Sequence, residues 1–380
     1  MNKVSLYLHI PFCESKCYYC DFASYPKKNA FYQDYVDALC LEIEQVGESL
    51  QQCIIDTIFI GGGTPSILSV NQLDTIQSWL KKSFSIAKDA EITMEANPGT
   101  LDQDKIDVIG NGIINRISMG LQSTENDLLK KIGRIHTFEE FKQNYESLRK
   151  VGIKNINIDM MFGLPDQTTK GYINGLSQIA HMKPEHISSY GLIIEEGTPF
   201  YGLYHNNQLH LPDEQSERDM YDSCLQMLKD YDYEHYEISN FSKPGYACRH
   251  NLVYWDLKPY VGLGLASHSY YKGQRYEHTK DLEVYIQKAK QGQFHKENIF
   301  TLTTKEMMEE FMFLGLRKMD GIAIADFEKR FGILIDQVYG KQIDDLLKEG
   351  LIQEVKNSLL LTRRGMDLAN RVFSKFLIDE

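Results

Sequence analysis

The strongest constraint on this chain is the rhythm of its first half. From the start to about residue 194, short β-branched runs alternate with amphipathic stretches. Strand-like runs fall at Val4–His9, Thr57–Ile60, Glu91–Glu95, Arg116–Gly120, Asn155–Met160 and Ile187–Leu192. Helix-like patterns lie between them, at Phe31–Val46, Val70–Ser83, Gln103–Ile109, Phe138–Val151 and Thr168–His181. Strands separated by helices in this way predict βα units and a parallel sheet. Six such strands fit a full or incomplete α/β barrel, whose chemistry lies at the C-terminal ends of its strands. The alternative is an open doubly wound sheet; the motif positions below favour the barrel.

Beyond residue 195 the rhythm loosens. Pro199–Pro212 reads as a loop, Glu214–Asp230 as a helix, and Glu234–Ser239 and Tyr260–Tyr271 as further strands. From Leu302, helical patterns at Lys305–Leu316, Ile324–Phe331 and Val338–Glu349 precede a β-wing at Leu351–Leu361 and a last helix. Two domains are expected, residues 1–295 and a small winged-helix-like unit over residues 296–380. A chain of 380 residues buries such cores without disulfide staples.

With 41 Lys+Arg against 53 Asp+Glu the net charge is −12, and residues 301–380 hold 12 basic and 14 acidic side chains, net −2. No nucleic-acid partner is expected, for the winged unit in particular. No apolar run approaches the ~20 residues of a membrane span. The first ten residues carry one lysine and are interrupted by His9, which does not make a secretory signal. The expectation is a cytoplasmic protein without direct membrane insertion.

Cysteine usage points to a metal site. Three of the seven cysteines form Cys13-x-x-x-Cys17-x-x-Cys20, and an odd total in a signal-free chain fits a reducing compartment better than a disulfide framework. Thiolates at this spacing on one loop can hold three corners of an iron–sulfur cluster and leave one iron open. The alternatives are a zinc site completed by a residue such as His9, or three packed thiols. Cys40, Cys53 and Cys224 read as buried packing thiols. Gly61–Gly63 follow a strand, so backbone there can approach a ligand without Cβ clashes.

Tyr7-x-His9-Ile10-Pro11-Phe12-Cys13, the cysteine triple and Gly61-Gly62-Gly63-Thr64-Pro65 together resemble the radical S-adenosylmethionine (SAM) proteins. More narrowly, essentially the whole chain resembles the oxygen-independent coproporphyrinogen III oxidase family. The resemblance implies an α/β fold, a radical-SAM partial (β/α)6 barrel with extra flanking strands and the small C-terminal domain. It implies a [4Fe-4S] cluster on Cys13, Cys17 and Cys20, with SAM on the open iron. One electron from the reduced cluster then cleaves SAM to a 5′-deoxyadenosyl radical. Gly62, Gly63 and Thr64 would face SAM, Glu95 and Arg134 would pair with its charged or polar parts, and Gln122 and Asp159 would bond its sugar. Tyr7 and Tyr19 would flank the cluster and contact SAM or a second ligand. Taken singly, each of these residues also fits a cap, a solvated charge or a packed tyrosine.

Two features separate this chain from the decarboxylating members. Phe22 stands where those members keep a fourth cysteine. His250-Asn251-Leu252-Val253-Tyr254-Trp255 instead resembles the family's haem chaperone branch, which binds haem and passes it to haem proteins of the respiratory chain. That implies His250 as a haem ligand, with Tyr254 and Trp255 as flat surface for the porphyrin and Asn251 orienting the imidazole. Cys248 and His268 are lower-ranked haem contacts. No residue is singled out as catalytic; the rival reading is the oxidase itself, removing carbon dioxide from propionate side chains. Expected partners are haem, haem-accepting respiratory proteins and, under control of the cluster, a second copy of the chain.

Overall fold

A computed structural model describes residues 2–294 and 296–378 of the chain. Six parallel strands form its centre: β1 (Asn2–Ile10), β2 (Cys53–Gly62), β3 (Ile86–Ala96), β4 (Arg116–Gln122), β5 (Asn155–Phe162) and β6 (His186–Gly191). They pair in chain order, without the reversal that defines a doubly wound sheet. Along each strand, side chains alternate between two faces. Leu6, Ile58, Met94, Ile117, Ile158 and Ile187 belong to the apolar core packed under the helices. The alternate positions carry Thr57, Thr93, Ser118, Asn157 and Ser188, which are buried and polar.

The covering helices are α1 (Tyr32–Ser49), α2 (Val70–Ser83), α3 (Gln103–Asn111), α4 (Phe138–Lys150) and α5 (Thr169–His181). Reciprocal capping boxes start two of them, Ser69 with Gln72 on α2 and Thr137 with Glu140 on α4. Helix α6 (Glu214–Asp230) leads to β7 (Glu234–Glu237) and β8 (Asn240–Ser242), which extend the sheet antiparallel beyond β6. A short helix, α7 (Arg249–Trp255), then carries the His-Asn segment. At the other edge β9 (Tyr260–Leu263) joins β1 in parallel, followed antiparallel by β10 (His268–Tyr271), β11 (Gln274–His278) and β12 (Lys296–Thr301). The result is one sheet of twelve strands.

A separate hydrophobic cluster, including Met312, Phe327, Tyr339, Leu359 and Phe376, organises the C-terminal part. Helices α8 (Thr304–Gly315), α9 (Ile324–Phe331) and α10 (Ile335–Lys348) precede the hairpin β13 (Ile352–Val355) and β14 (Ser358–Leu361), a helical unit with a wing. Lys318 pairs with Asp256 (2.7 Å) and Arg363 with Asp222, joining it to the main sheet domain. Pro199–His205, expected as loop, is helical, because Pro199 sits in the first turn and the Thr198 hydroxyl caps it. Cys40, Cys53 and Cys224 are buried. Among the described residues no helix is long and apolar enough to cross a membrane.

Candidate functional site

Past Ile10 the chain enters the loop that carries the three cysteines. Phe12–Cys13 pairs with Tyr25–Pro26 and closes this loop at its base. Its middle is pinned by the Tyr18 amide donating to the Ile132 carbonyl and the Phe200 amide donating to the Tyr18 carbonyl. Cys13, Cys17 and Cys20 line one cavity of about 150 Å³ at the strand ends. The same wall holds Tyr19, Gly62, Gly63, Thr64, Glu95, Gln122, Arg134 and Asp159. The structure thus brings together every residue expected around the cluster and SAM except Tyr7. That side chain faces a neighbouring cavity, its hydroxyl 3.0 Å from His9 Nδ1.

The sulfurs have donors aimed at them. Thr64 Oγ1 donates toward Cys13 Sγ (3.5 Å) and Arg134 Nη1 toward Cys17 Sγ (3.6 Å). Donors of this kind orient and stabilise metal-bound thiolates. Burial raises the free Cys13 thiol and pushes Cys20 up to about 11; coordination to a metal removes such protons outright. Among the described residues, no three Cys, His, Asp or Glu side chains converge as closely as a single metal ion requires. A four-iron cubane asks for less convergence, because each thiolate binds a different iron.

Below the loop, the glycines let β2 pass close. Gly62 has φ +111°, and a Cβ there would lie 2.6 Å from the His9 ring; at Gly63 it would lie 2.5 Å from the Phe12 carbonyl oxygen. The Gly62 amide donates to Glu95 Oε2 (3.1 Å). Burial, reinforced by Asp159, pushes the Glu95 carboxyl up to about 8, so it holds its proton at neutral pH in the free protein. Burial likewise raises Asp159, which accepts from Asn157 Nδ2 (2.7 Å). Arg134 Nη2 donates to Asn97 Oδ1 (2.7 Å) and to the Gly120 carbonyl, while its buried Nε has no partner. Gln122 Oε1 accepts from the Tyr190 hydroxyl (2.9 Å).

SAM presents an ammonium, a carboxylate, a sulfonium and sugar hydroxyls. Two carboxylates, a guanidinium with an orphaned Nε, an amide and uncrowded glycine backbone match those groups, so the donor set fits. The cavity alone is smaller than the ~300 Å³ at which ordinary cofactor pockets begin. It adjoins a second cavity of about 700 Å³, and Lys16, Phe22 and Ser24 line both.

Tyr7, Asp21, Tyr254, Tyr260, His268 and Lys280 are among the other residues of the larger wall. His250, expected as a haem ligand, is not among them. The residue is 1 % exposed, with Nδ1 2.7 Å from Thr57 Oγ1 and Nε2 2.9 Å from the Tyr254 hydroxyl. Burial, helped by Arg116, lowers its pKa to about 3, so the ring is neutral and neither nitrogen is free for iron. The cause lies at the start of α7. Glu91 accepts from the Arg249 and His250 amides (3.1 and 3.0 Å) and fixes the helix so that His250 points into the sheet. Cys248 is also buried and outside the larger wall, 3.6 Å from Glu91 Oε1, its thiol raised to about 12 by burial. Trp255 turns away to the Arg317 guanidinium (4.4 Å). Thr57 and Tyr254, rather than Asn251, orient the imidazole.

His268 lies in the open. Its side chain is 63 % exposed, with Nε2 3.2 Å from Glu277 Oε2. Sequence reasoning passed over Asn97, Ser118 and Tyr190, which line the smaller cavity. Asn97 was signalled only by its place two residues after Glu95. Ser118 pairs with Glu95 across β3 and β4, and Tyr190 stands near the end of β6.

Residues 7–173 match the family model of the radical SAM superfamily, and residues 302–368 that of the HemN C-terminal domain. The chain is 37% identical to the heme chaperone HemW of Lactococcus lactis, over 99% of this chain and 98% of that one. It is 34% identical to the heme chaperone HemW of Escherichia coli, over 100% and 99%. Among solved structures, coproporphyrinogen III oxidase (HemN) from Escherichia coli superposes with a TM-score of 0.86 at 22% identity, covering 99% of this chain and 90% of that one. This last likeness concerns the fold. Matched over its full length and in both family models, the chain belongs to the radical SAM superfamily, in the haem chaperone (HemW-type) branch of the oxygen-independent coproporphyrinogen III oxidase family.

Proposed function

We propose that this protein is a haem chaperone that binds haem and passes it to haem-requiring proteins, those of the respiratory chain among them. The observation that carries the reading is the cavity of about 700 Å³ beside the cysteine loop. It has the volume of a site for a ligand of this size. Its tyrosines offer apolar faces for a flat macrocycle, and Lys16 and Lys280 offer charge for carboxylates. The full-length relatives named heme chaperone support the same reading.

His268 is the iron ligand this geometry favours. A carboxylate holding Nε2 fixes the tautomer and leaves Nδ1 as acceptor. Its exposure also suits a protein that must release what it binds. His250 then acts as a positioning residue that holds Tyr254 in the wall. Cys13, Cys17 and Cys20 hold the [4Fe-4S] cluster, and Glu95, Gln122, Arg134 and Asp159 hold SAM; when bound, that pair supplies one-electron chemistry. Residues 1–295 carry these sites; Lys296–Thr301, expected within the C-terminal unit, is the edge strand of the main sheet, the residues after it form the packing or partner unit, and a cluster-dependent homodimer belongs to the same reading.

A haem titration followed at the Soret band, paired with a decarboxylation assay on the reconstituted protein, tests this. Saturable haem binding without decarboxylation is expected. Conversion of coproporphyrinogen III to protoporphyrinogen IX, with SAM and a reductant, would make the protein the oxidase instead. Absence of a Soret shift would refute the haem reading.

A further inference from the structure

The wall between the two cavities contains an apolar ring with nothing packed over most of it. Phe22 is 61 % exposed, yet it lines both the cysteine cavity and the larger one. Single exposed hydrophobic side chains are common on protein surfaces. This one differs in two respects. Its ring stands where two cavities meet, and the backbone that carries it is held at Phe22 and just after it. Lys16 Nζ donates to the Phe22 carbonyl (2.9 Å), His9 Nε2 lies 2.8 Å from the Ala23 carbonyl, and the Tyr25 amide donates to the Pro11 carbonyl (2.7 Å). The segment is therefore anchored while its side chain remains in water. Of the three residues shared by both walls, Lys16, Phe22 and Ser24, only Phe22 is aromatic.

We infer that Phe22 is the platform on which a flat tetrapyrrole rests, and the partition that keeps its face apart from the cysteine-lined cavity. The inference rests on the haem reading above and names the residue that recognises the macrocycle. An aromatic face recovers its exposed apolar area when another flat π-system covers it, and such stacking contributes independently of any metal ligand. Recognition of the ring system and recognition of its iron are thus divided between two residues, Phe22 and His268. A bound macrocycle on this platform is separated from whatever occupies the smaller cavity by the thickness of one phenyl ring.

That division is testable with two ligands, haem and iron-free protoporphyrin IX, titrated against the full-length reconstituted protein and followed by Soret absorbance and fluorescence quenching respectively. Phe22→Ala is expected to weaken both ligands by a similar factor of about ten, the equivalent of about 1.4 kcal/mol. His268→Ala is expected to weaken haem alone. Phe22→Tyr should stay within about threefold of the wild type, while Phe22→Leu, which keeps bulk without a π-face, should bind more weakly than Phe22→Tyr. Iron content and the broad band near ~400 nm report whether each variant retains its cluster. Where Phe22→Ala loses the cluster, the comparison of Phe22→Tyr with Phe22→Leu decides.

The platform is overturned if Phe22→Ala binds both ligands within about twofold of wild type. It is equally overturned if the loss appears with haem but not with protoporphyrin IX, or if the tyrosine and leucine variants bind alike. A wild-type protein that binds no haem refutes the haem reading itself. Wild-type binding that is indifferent to Phe22 refutes only the platform.

Discussion

Glu42 gives the sharpest test of how this fold supports its cavity. It is fully buried on α1, and its bonds converge on the segment that leads to His268. Its Oε2 accepts from the Gly264 amide (2.8 Å) and the Tyr285 hydroxyl (2.6 Å), while its Oε1 lies 2.8 Å from His278 Nε2. Tyr35 adds a parallel tie, accepting from the Leu265 amide (3.1 Å) and donating to the His9 carbonyl (2.6 Å). Burial opposes the charge on both members of the pair. Their mutual attraction and hydrogen bonds outweigh it, holding Glu42 below its usual pKa and His278 above its own. Glu42→Gln keeps the shape and removes the charge. A hydrogen bond to a charged group contributes about 1.5–3 kcal/mol, so local opening at Gly264 and Leu265 should become roughly ten- to a hundredfold more frequent.

The sign of the pH dependence follows from the two shifts. The His278 contribution is complete below its unfolded value of 6.5 and is lost as pH rises through the raised folded value. The Glu42 contribution is present above 4.5 and is lost as pH falls through the lowered one. The pair therefore stabilises the segment most between 4.5 and 6.5. Native-state hydrogen exchange, expressed as protection factors over residues 262–268, should show protection falling as pH rises above 6.5 through the raised His278 value in the wild type, and little change in Glu42→Gln. Unchanged protection in a folded Glu42→Gln protein, or wild-type protection that rises with pH, would refute this reasoning.

Three further outcomes are expected. SAM affinity, measured by calorimetry on the reconstituted protein, should rise as pH passes through about 8, where Glu95 ionises. Glu95→Gln should abolish that dependence and bind roughly tenfold more weakly above it, the loss of about one charge-assisted contact. His250→Ala should keep the Soret spectrum of the haem complex but lower thermal stability by about 1–3 kcal/mol, because the Thr57 and Tyr254 hydroxyls lose their partner; a changed Soret band would restore His250 as a ligand. Cys17→Ser should abolish the broad band near ~400 nm and most bound iron after reconstitution; an unaffected band would remove Cys17 from the cluster.

Where periodicity is strong, elements were legible almost to the residue. The spacing over Val70–Ser83 and the cap at Ser69 define α2 without ambiguity. Hidden elements lack that signal. Strand β12 is exposed along nearly its whole length, so its residues do not alternate in polarity. Helix α7 is only seven residues long, and its start is fixed by a carboxylate on a distant strand rather than by a cap in its own sequence. That helix also explains why His250 lies away from the larger cavity. A motif names residues, whereas the phase of a helix decides where they point. His250 and Tyr254 are four apart, hence neighbours on one face, their rings 5.1 Å from centre to centre. Of the two, the tyrosine reaches the cavity and the histidine reaches the sheet. Once α7 is recognised as a helix, the pairing follows from spacing alone; the direction of that face does not, because it depends on Glu91.

The site and the fold were legible for one common reason. Strands covered by helices on both faces of a parallel sheet are apolar at nearly every position, and a closed eight-stranded barrel fills its interior with branched side chains. Here the outward positions obey that rule, with Ile58, Met94, Ile117 and Ile158 in the core. The inward ones break it, with Thr57, Glu95, Ser118 and Asp159 on successive strands. Placing polar groups in such an interior costs stability unless each finds a partner. The bonds Asn157 to Asp159, Asn157 to Ser118 and Gly62 to Glu95 meet that requirement in part. They leave Arg134 Nε unsatisfied and a carboxyl pushed up to about 8. An interior built for stability alone would have replaced those groups with apolar ones. The polar alternation in the strands therefore carries two statements at once: the period of two specifies the sheet, and the violation of apolar filling locates the ligand within it.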